Sequence, residues 1–247
     1  MGYIANKEYL VHYYEIDYQK RCLITSLLNY FQDLAFLQSD LQGAGIDYLA
    51  ENKLAWVLYR WDVKIDKYPK YREKVKISTH VYSCIKFYAY RKFEVADESG
   101  DTIASADTVW LLVNTDNKRP VKIHDNMCKA FGVSINEKTT LEFENLKEMS
   151  EAKIEKEYKV RYSDIDTNRH VNNAKYVDWA IETVPLNITE DYCLIRLKVI
   201  YKKEATYGKT VKVFIQTFPK DNSITCLHRI VDNEGKDLCL LEATWVK

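Results

Sequence analysis

The chain has 247 residues, 36 of them basic and 36 acidic, so its formal net charge is zero, and 47% of its residues are hydrophobic. That apolar content suits one large core or two small ones and excludes a largely disordered chain. Zero net charge argues against a dedicated nucleic-acid binder, and no apolar run reaches membrane-spanning length.

The six cysteines, Cys22, Cys84, Cys128, Cys193, Cys226 and Cys239, stand apart, with no C-x-x-C and no metal-ligand spacing. They read as reduced thiols of a cytoplasmic protein, and no metal or organic cofactor is implied. The first residues, Met1 to Glu8, carry neither a basic segment nor a signal-peptide core, which agrees with a cytoplasmic location.

In chain order, Leu27, Leu28, Phe31, Leu34, Ala35 and Leu41 fall at helical spacing. Thr25 or Ser26 is the expected cap, and Gly43 and Gly45 the stop. Trp56, Tyr59 and Trp61 follow in a strand-like run. Val75, Ile77, Thr79 and Val81 alternate as in a half-buried strand, and Glu98-Ser99-Gly100 reads as a hairpin turn. From Val133 to Lys156 the charges are mixed and no period is visible, as in a connector. A second helix carries Val177, Ala180, Ile181 and Val184 and stops before Pro185. Val211, Val213 and Ile215 alternate, and Asn233-Glu234-Gly235 is a second turn.

The second series repeats the first. Val63–Ile77 lies over Val199–Val213 without a gap, with Val63, Lys67, Tyr71, Val75 and Lys76 each matched by the same residue type. Asp97–Trp110 lies over Asp232–Trp245 at nearly the same offset. Two matches in order imply a duplicated unit. One helix followed by an antiparallel meander is an α+β unit, and its helix is buried only if the sheet wraps it.

Between the connector and the second helix, polar residues crowd together. Asp166, Asn168 and His170 alternate, so an extended backbone would point all three to one side. Asn172 or Asn173 then caps the helix, whose first N–H groups suit developing negative charge. An acid, an amide, an imidazole and a helix N-terminus are components of acyl-group hydrolysis.

The run Asp166, Asn168, His170, Val171, Asn172, Asn173, Tyr176 and Trp179, continuing to Glu182, resembles the D-x-N-x-H-V-N-N-x-x-Y…W signature of the acyl-acyl-carrier-protein (acyl-ACP) thioesterases. These enzymes of plants and bacteria release free fatty acids. Tyr201-Lys202-Lys203-Glu204 resembles the block that carries the family's remaining catalytic acid. Trp56-Val57 through Tyr68-Pro69 resembles its first-domain strands.

The resemblance implies a tandem double hotdog, each unit a central helix wrapped by an antiparallel sheet. The expected divisions are 1–132 for an acyl-pocket unit, 133–156 for the connector and 157–247 for the catalytic unit. It implies hydrolysis of acyl-ACP by an activated water in fatty acid biosynthesis. His170 would donate to a carbonyl or shuttle a proton, and Glu204 would act as general base. Asp166 would orient the imidazole, hold a water, or only cap a turn. Asn168 would hold an oxygen. Val171, Asn172 and Asn173 form the expected oxyanion end of the helix, the two asparagines being caps rather than catalysts.

Many plant members have a cysteine after the glutamate; here it is Ala205, which favours water over an acyl-cysteine intermediate. Repeat one has Gln19, Arg21 and Tyr68 at the matching places, so one site per chain is expected. Leu28, Phe31, Trp56 and Tyr59 would line the acyl pocket, with Tyr176 and Trp179 as core or tunnel wall.

The acylated carrier is acidic, and Lys118, Arg119, Lys122, Lys202 and Lys203 are the candidate basic contacts. No nucleic acid or membrane partner is expected, and a homodimer of the whole chain is compatible with the duplication. The competing readings are an acyl-CoA thioesterase on the same fold and a non-catalytic acyl-thioester-binding module.

Overall fold

A computed structural model describes residues 2–134, 142–150 and 153–247. The chain divides into two compact units, residues 1–59 with 65–142 and residues 60–64 with 143–247. The expected connector is only partly described, and a strand already begins at Lys153, inside the stretch expected to lack structure.

The first unit contains β1 (Ala5–Leu10), α1 (Ile24–Leu41), α2 (Ile46–Glu51), β2 (Leu54–Ile65), β3 (Lys74–Ile85), β4 (Tyr88–Ala96), β5 (Thr102–Asn114) and α3 (Asp125–Ala130). Its strands run in the order β1-β3-β4-β5-β2. The alternation expected around Val75 is present, with Val75, Ile77, Thr79 and Val81 all buried on one face of β3. α1 packs on β1 and β3, and its Phe31 stacks on Phe93 of β4 with ring centroids 4.9 Å apart.

α1 begins earlier than the expected Thr25 or Ser26 cap. Leu23 is the N-cap residue, and Ser26 lies inside the helix, where its hydroxyl donates to the Glu15 carbonyl at 3.2 Å. The same carbonyl accepts the Leu23 N–H at 2.8 Å. The chain is thus tied to the preceding turn at the residue before the helix, and a hydroxyl cap is not needed there.

The second unit contains β6 (Lys153–Lys159), α4 (Asn173–Ile181), α5 (Leu186–Asp191), β7 (Cys193–Tyr201), β8 (Thr210–Lys220), β9 (Ser223–Val231) and β10 (Asp237–Val246). Its order is β7-β10-β9-β8-β6. Taken strand for strand, this is the connectivity of the first unit. Arg60–Lys64 of β2 groups with this unit and pairs with Lys64 opposite Arg196 and Arg60 opposite Ile200 on β7. α4 lies on β8, β9 and β10.

The duplication extends to single hydrogen bonds. Asp97 Oδ1 accepts the Ser99 and Asp101 amides at 3.1 and 3.2 Å, and Asp232 Oδ1 accepts those of Glu234 and Lys236 at 3.0 and 2.9 Å. Gly100 and Gly235 follow at φ of +91° and +78°, a region that costs glycine little.

Residues just before β6 are docked on the second unit by charge. Glu144 accepts Lys198 at 2.7 Å and lies 3.2 Å from Arg196, and Lys198 also reaches Glu242 at 3.2 Å. Lys198 and Glu242 are both buried, so each neutralises the other where water cannot.

Candidate active site

The polar motif does not run extended. Asp166 Oδ1 accepts the backbone N–H groups of Asn168 at 2.8 Å and His170 at 3.2 Å. The Asp166 amide donates to the His170 carbonyl at 2.8 Å, and Arg169 sits at φ +63°. A short carboxylate that captures amides two and four residues on closes the segment into a turn. This overturns the expected alternation of Asp166, Asn168 and His170, and it gives Asp166 a definite task in shaping the loop. Asn168 is exposed at its tip.

The turn rests on Asp164, which is 1% exposed. Its carboxylate accepts the Arg161 backbone N–H at 2.8 Å and the Arg161 guanidinium at 2.9 and 3.2 Å. Burial pushes this carboxyl up, but the Arg161 bonds outweigh burial and hold it below the ordinary aspartate value. The Asp164 carbonyl then accepts the Asn172 N–H at 2.8 Å. Asn172 caps α4 by accepting the Ala174 N–H on its side chain at 2.9 Å.

These bonds alter the expected oxyanion site. The Val171 amide donates to the Ala205 carbonyl at 3.0 Å, and the Asn172 amide is taken by Asp164. Both are committed to the fold and are not available to substrate. The Asn173 N–H, first of α4, has no hydrogen-bond partner among the described residues. Of the three amides it is the one that retains donor capacity.

The Val171–Ala205 bond joins the motif to the strand-end loop after β7, and so brings His170 to Glu204. His170 Nε2 lies 2.9 Å from Glu204 Oε2, with the two side chains 23% and 40% exposed. The other side of this loop is held by Tyr176, whose buried hydroxyl accepts the Ala205 N–H at 2.9 Å. Tyr176 also packs edge-on against Trp179 and Tyr201, and Trp179 stacks on Tyr158. Both Tyr176 and Trp179 are buried core residues, and Tyr176 positions the loop that carries Glu204. The tyrosine's role was not visible in the sequence, because a helical aromatic signals packing and not a bond to a backbone amide.

Repeat one builds the same loop without the chemistry. Asp17 Oδ1 accepts the Arg21 amide at 2.9 Å, Lys20 takes φ +65°, and the Cys22 N–H donates to the Pro69 carbonyl at 2.8 Å. Arg21, in the place of His170, pairs with Asp17 at 2.8 Å. Pro69 stands where Ala205 does and has no N–H, and Leu27 stands where Tyr176 does and has no hydroxyl. Donor and acceptor are missing together.

Of the expected acyl-pocket residues in the first unit, Trp56 lines an apolar cavity there. Leu28 and Phe31 are fully buried and stand in the core rather than on that cavity's wall, and Tyr59 is 37% exposed. Phe31 is occupied by its stack on Phe93, which removes it from the lining. Among the described residues no group of three His, Cys, Asp or Glu is placed to hold a metal, and no helix is long and apolar enough to cross a membrane.

A wrapped helix in each unit and a single histidine–glutamate pair beside a helix N-terminus define the hotdog class of acyl-thioester proteins. Family models of the acyl-ACP thioesterase N-terminal and C-terminal domains match residues 2–131 and 147–247, and the chain belongs to that family.

Among curated relatives, a palmitoyl-acyl carrier protein thioesterase of Gossypium hirsutum is 28% identical over 216 residues, covering 82% of this chain and 52% of its own. A dodecanoyl-[acyl-carrier-protein] hydrolase of Cinnamomum camphora is 22% identical over 260 residues, covering 99% of this chain and 68% of its own. The chain spans about half the length of the first of these. A solved Lactobacillus plantarum structure described as an oleoyl thioesterase is 26% identical with a TM-score of 0.93, covering 100% of this chain and 97% of that one. The 12:0-ACP thioesterase of Umbellularia californica, 22% identical with a TM-score of 0.84, covers 98% and 93% and shares the fold.

Proposed function

We propose that this chain hydrolyses the thioester of acyl-acyl-carrier-protein to a free fatty acid and the carrier thiol, in fatty acid biosynthesis. The observation that carries this reading is the 2.9 Å contact of His170 with Glu204 in a chain of this family. Glu204 accepts the imidazole N–H or, with water between, draws a proton from that water. The water oxygen forms a bond to the thioester carbon as the C–S bond breaks, and the proton returns to the leaving sulfur. Charge that develops on the carbonyl oxygen faces donors in the His170 and Asn168 side chains and the Asn173 N–H. No thiol nucleophile is needed, since Ala205 follows Glu204.

The carrier is recognised in part through exposed cations. Lys202 and Lys203 flank Glu204 and are exposed, although Lys203 is already paired with Asp232 at 3.1 Å. In the first unit Lys118, Arg119 and Lys122 are exposed as well.

The experiment is a panel of acyl-ACPs of different chain lengths, with released fatty acid measured, beside the matching acyl-CoAs. Faster turnover of the ACP forms is expected. Faster use of CoA forms would reassign the carrier, and tight binding without release would make the chain a binding module.

A further inference from the structure

The first unit buries a cation that no carboxylate neutralises. Arg91 on β4 is 5% exposed and lines the apolar cavity, together with Phe36, Trp56, Trp110, Met127 and Phe131. Its Nη1 donates to Gln38 Oε1 at 2.6 Å and to Thr79 Oγ1 at 3.2 Å. Both acceptors are neutral, and their orientation is fixed. Gln38 Nε2 donates to the Tyr3 carbonyl at 2.7 Å, and the Thr79 hydroxyl donates to the Lys92 carbonyl at 2.8 Å. The guanidinium otherwise faces the rings of Phe93 and Phe131, 5.9 and 5.7 Å from its centre. Among the described residues it makes no ion pair.

The second unit treats an equally buried cation differently. Lys198 is also 5% exposed, and it has both Glu242 and Glu144 within 3.2 Å. A buried charge without a partner is costly, and the usual remedy is a carboxylate. Burial draws Arg91 down to about 9, which leaves it cationic at neutral pH. A plain alkyl chain in the cavity would exclude water from the remaining N–H groups and give nothing back. A carboxylate would supply two oxygens to a planar fork of donors.

We propose that this cavity is a binding site for a monocarboxylate with a medium-length alkyl chain. Its carboxylate pairs with Arg91, and its chain lies against Trp56, Trp110, Met127 and Phe131. The site stands on the first unit alone and does not depend on the catalytic reading. Under that reading the released fatty acid has this chemistry, so the site is a place where product is retained.

The test is titration of the full chain with decanoate and with 1-decanol, followed by calorimetry and by the fluorescence of Trp56 and Trp110. Decanoate should bind at least tenfold more tightly than decanol. Arg91→Gln should abolish that preference, and Arg91→Lys, which keeps the charge and loses the fork, should reduce it. Glu204→Gln should leave it intact. Equal binding of the two ligands, an unchanged preference in Arg91→Gln, or its loss in Glu204→Gln would each overturn the site. Should the Arg91 variants not fold, Met127→Trp fills the cavity and keeps Arg91. It should weaken decanoate at least tenfold, and unchanged affinity there would also overturn the proposal.

Discussion

Tyr176 Oη accepts the backbone N–H of Ala205 at 2.9 Å, one residue after the glutamate whose carboxylate meets His170. The bond fixes a loop from inside the core, so the position of Glu204 depends on a residue that never touches it through its own side chain. Tyr176→Phe keeps the ring and leaves the Ala205 amide unpaired, a loss of about 1–3 kcal/mol for a buried donor. The expected outcome is a lower kcat, by roughly tenfold, with KM for acyl-ACP little changed and a shifted pH–rate profile. An altered melting temperature with an unaltered pH profile would reduce Tyr176 to a packing residue.

His170→Ala and Glu204→Ala should each lower kcat by about two orders of magnitude or more, as loss of a general base or oxyanion donor does. Acyl-ACP turnover with folding checked by circular dichroism decides it. Near-normal turnover in Glu204→Ala would remove that residue from the mechanism.

Asp166 shapes the turn through Oδ1, an acceptor that asparagine also possesses. Asp166→Asn should therefore retain most of the activity, within roughly tenfold, while Asp166→Ala should lose about a hundredfold. If the two variants are equally inactive, the negative charge acts directly on the reaction and the turn is secondary.

Phe31 is fully buried and stacked on Phe93. Phe31→Ala should cost about 3–5 kcal/mol of stability and leave the preferred acyl length unchanged. Chemical denaturation and a chain-length profile measure the two effects separately, and a changed profile at normal stability would place Phe31 on the acyl path.

His228 is buried, its Nδ1 3.2 Å from the Thr183 hydroxyl, and burial lowers its pKa to about 3. The unfolded chain therefore binds a proton that the folded one refuses as pH falls below the ordinary histidine value of about 6.5. Stability contributed by neutral His228 is present above that pH and is lost from there down to about pH 3, at about 1.4 kcal/mol per pH unit. His228→Gln should flatten this part of the stability–pH curve, as measured by denaturant unfolding between pH 7 and 4. An unchanged slope would assign the acid sensitivity to other groups.

The sequence by itself determined the features that depend on neighbours along the chain. The duplication shows in Val63–Ile77 over Val199–Val213, because each strand's side-chain period is written locally. The Asn172 cap follows from a short polar acceptor before a helical run. The tertiary structure decided the rest. Asp166 to His170 form a turn because one carboxylate competes successfully for two amides. Glu204 meets His170 because the Val171 amide and the Ala205 carbonyl bond across loops that are distant in sequence. Lys198 has carboxylates and Arg91 has none because packing, and not residue type, sets what surrounds a buried charge.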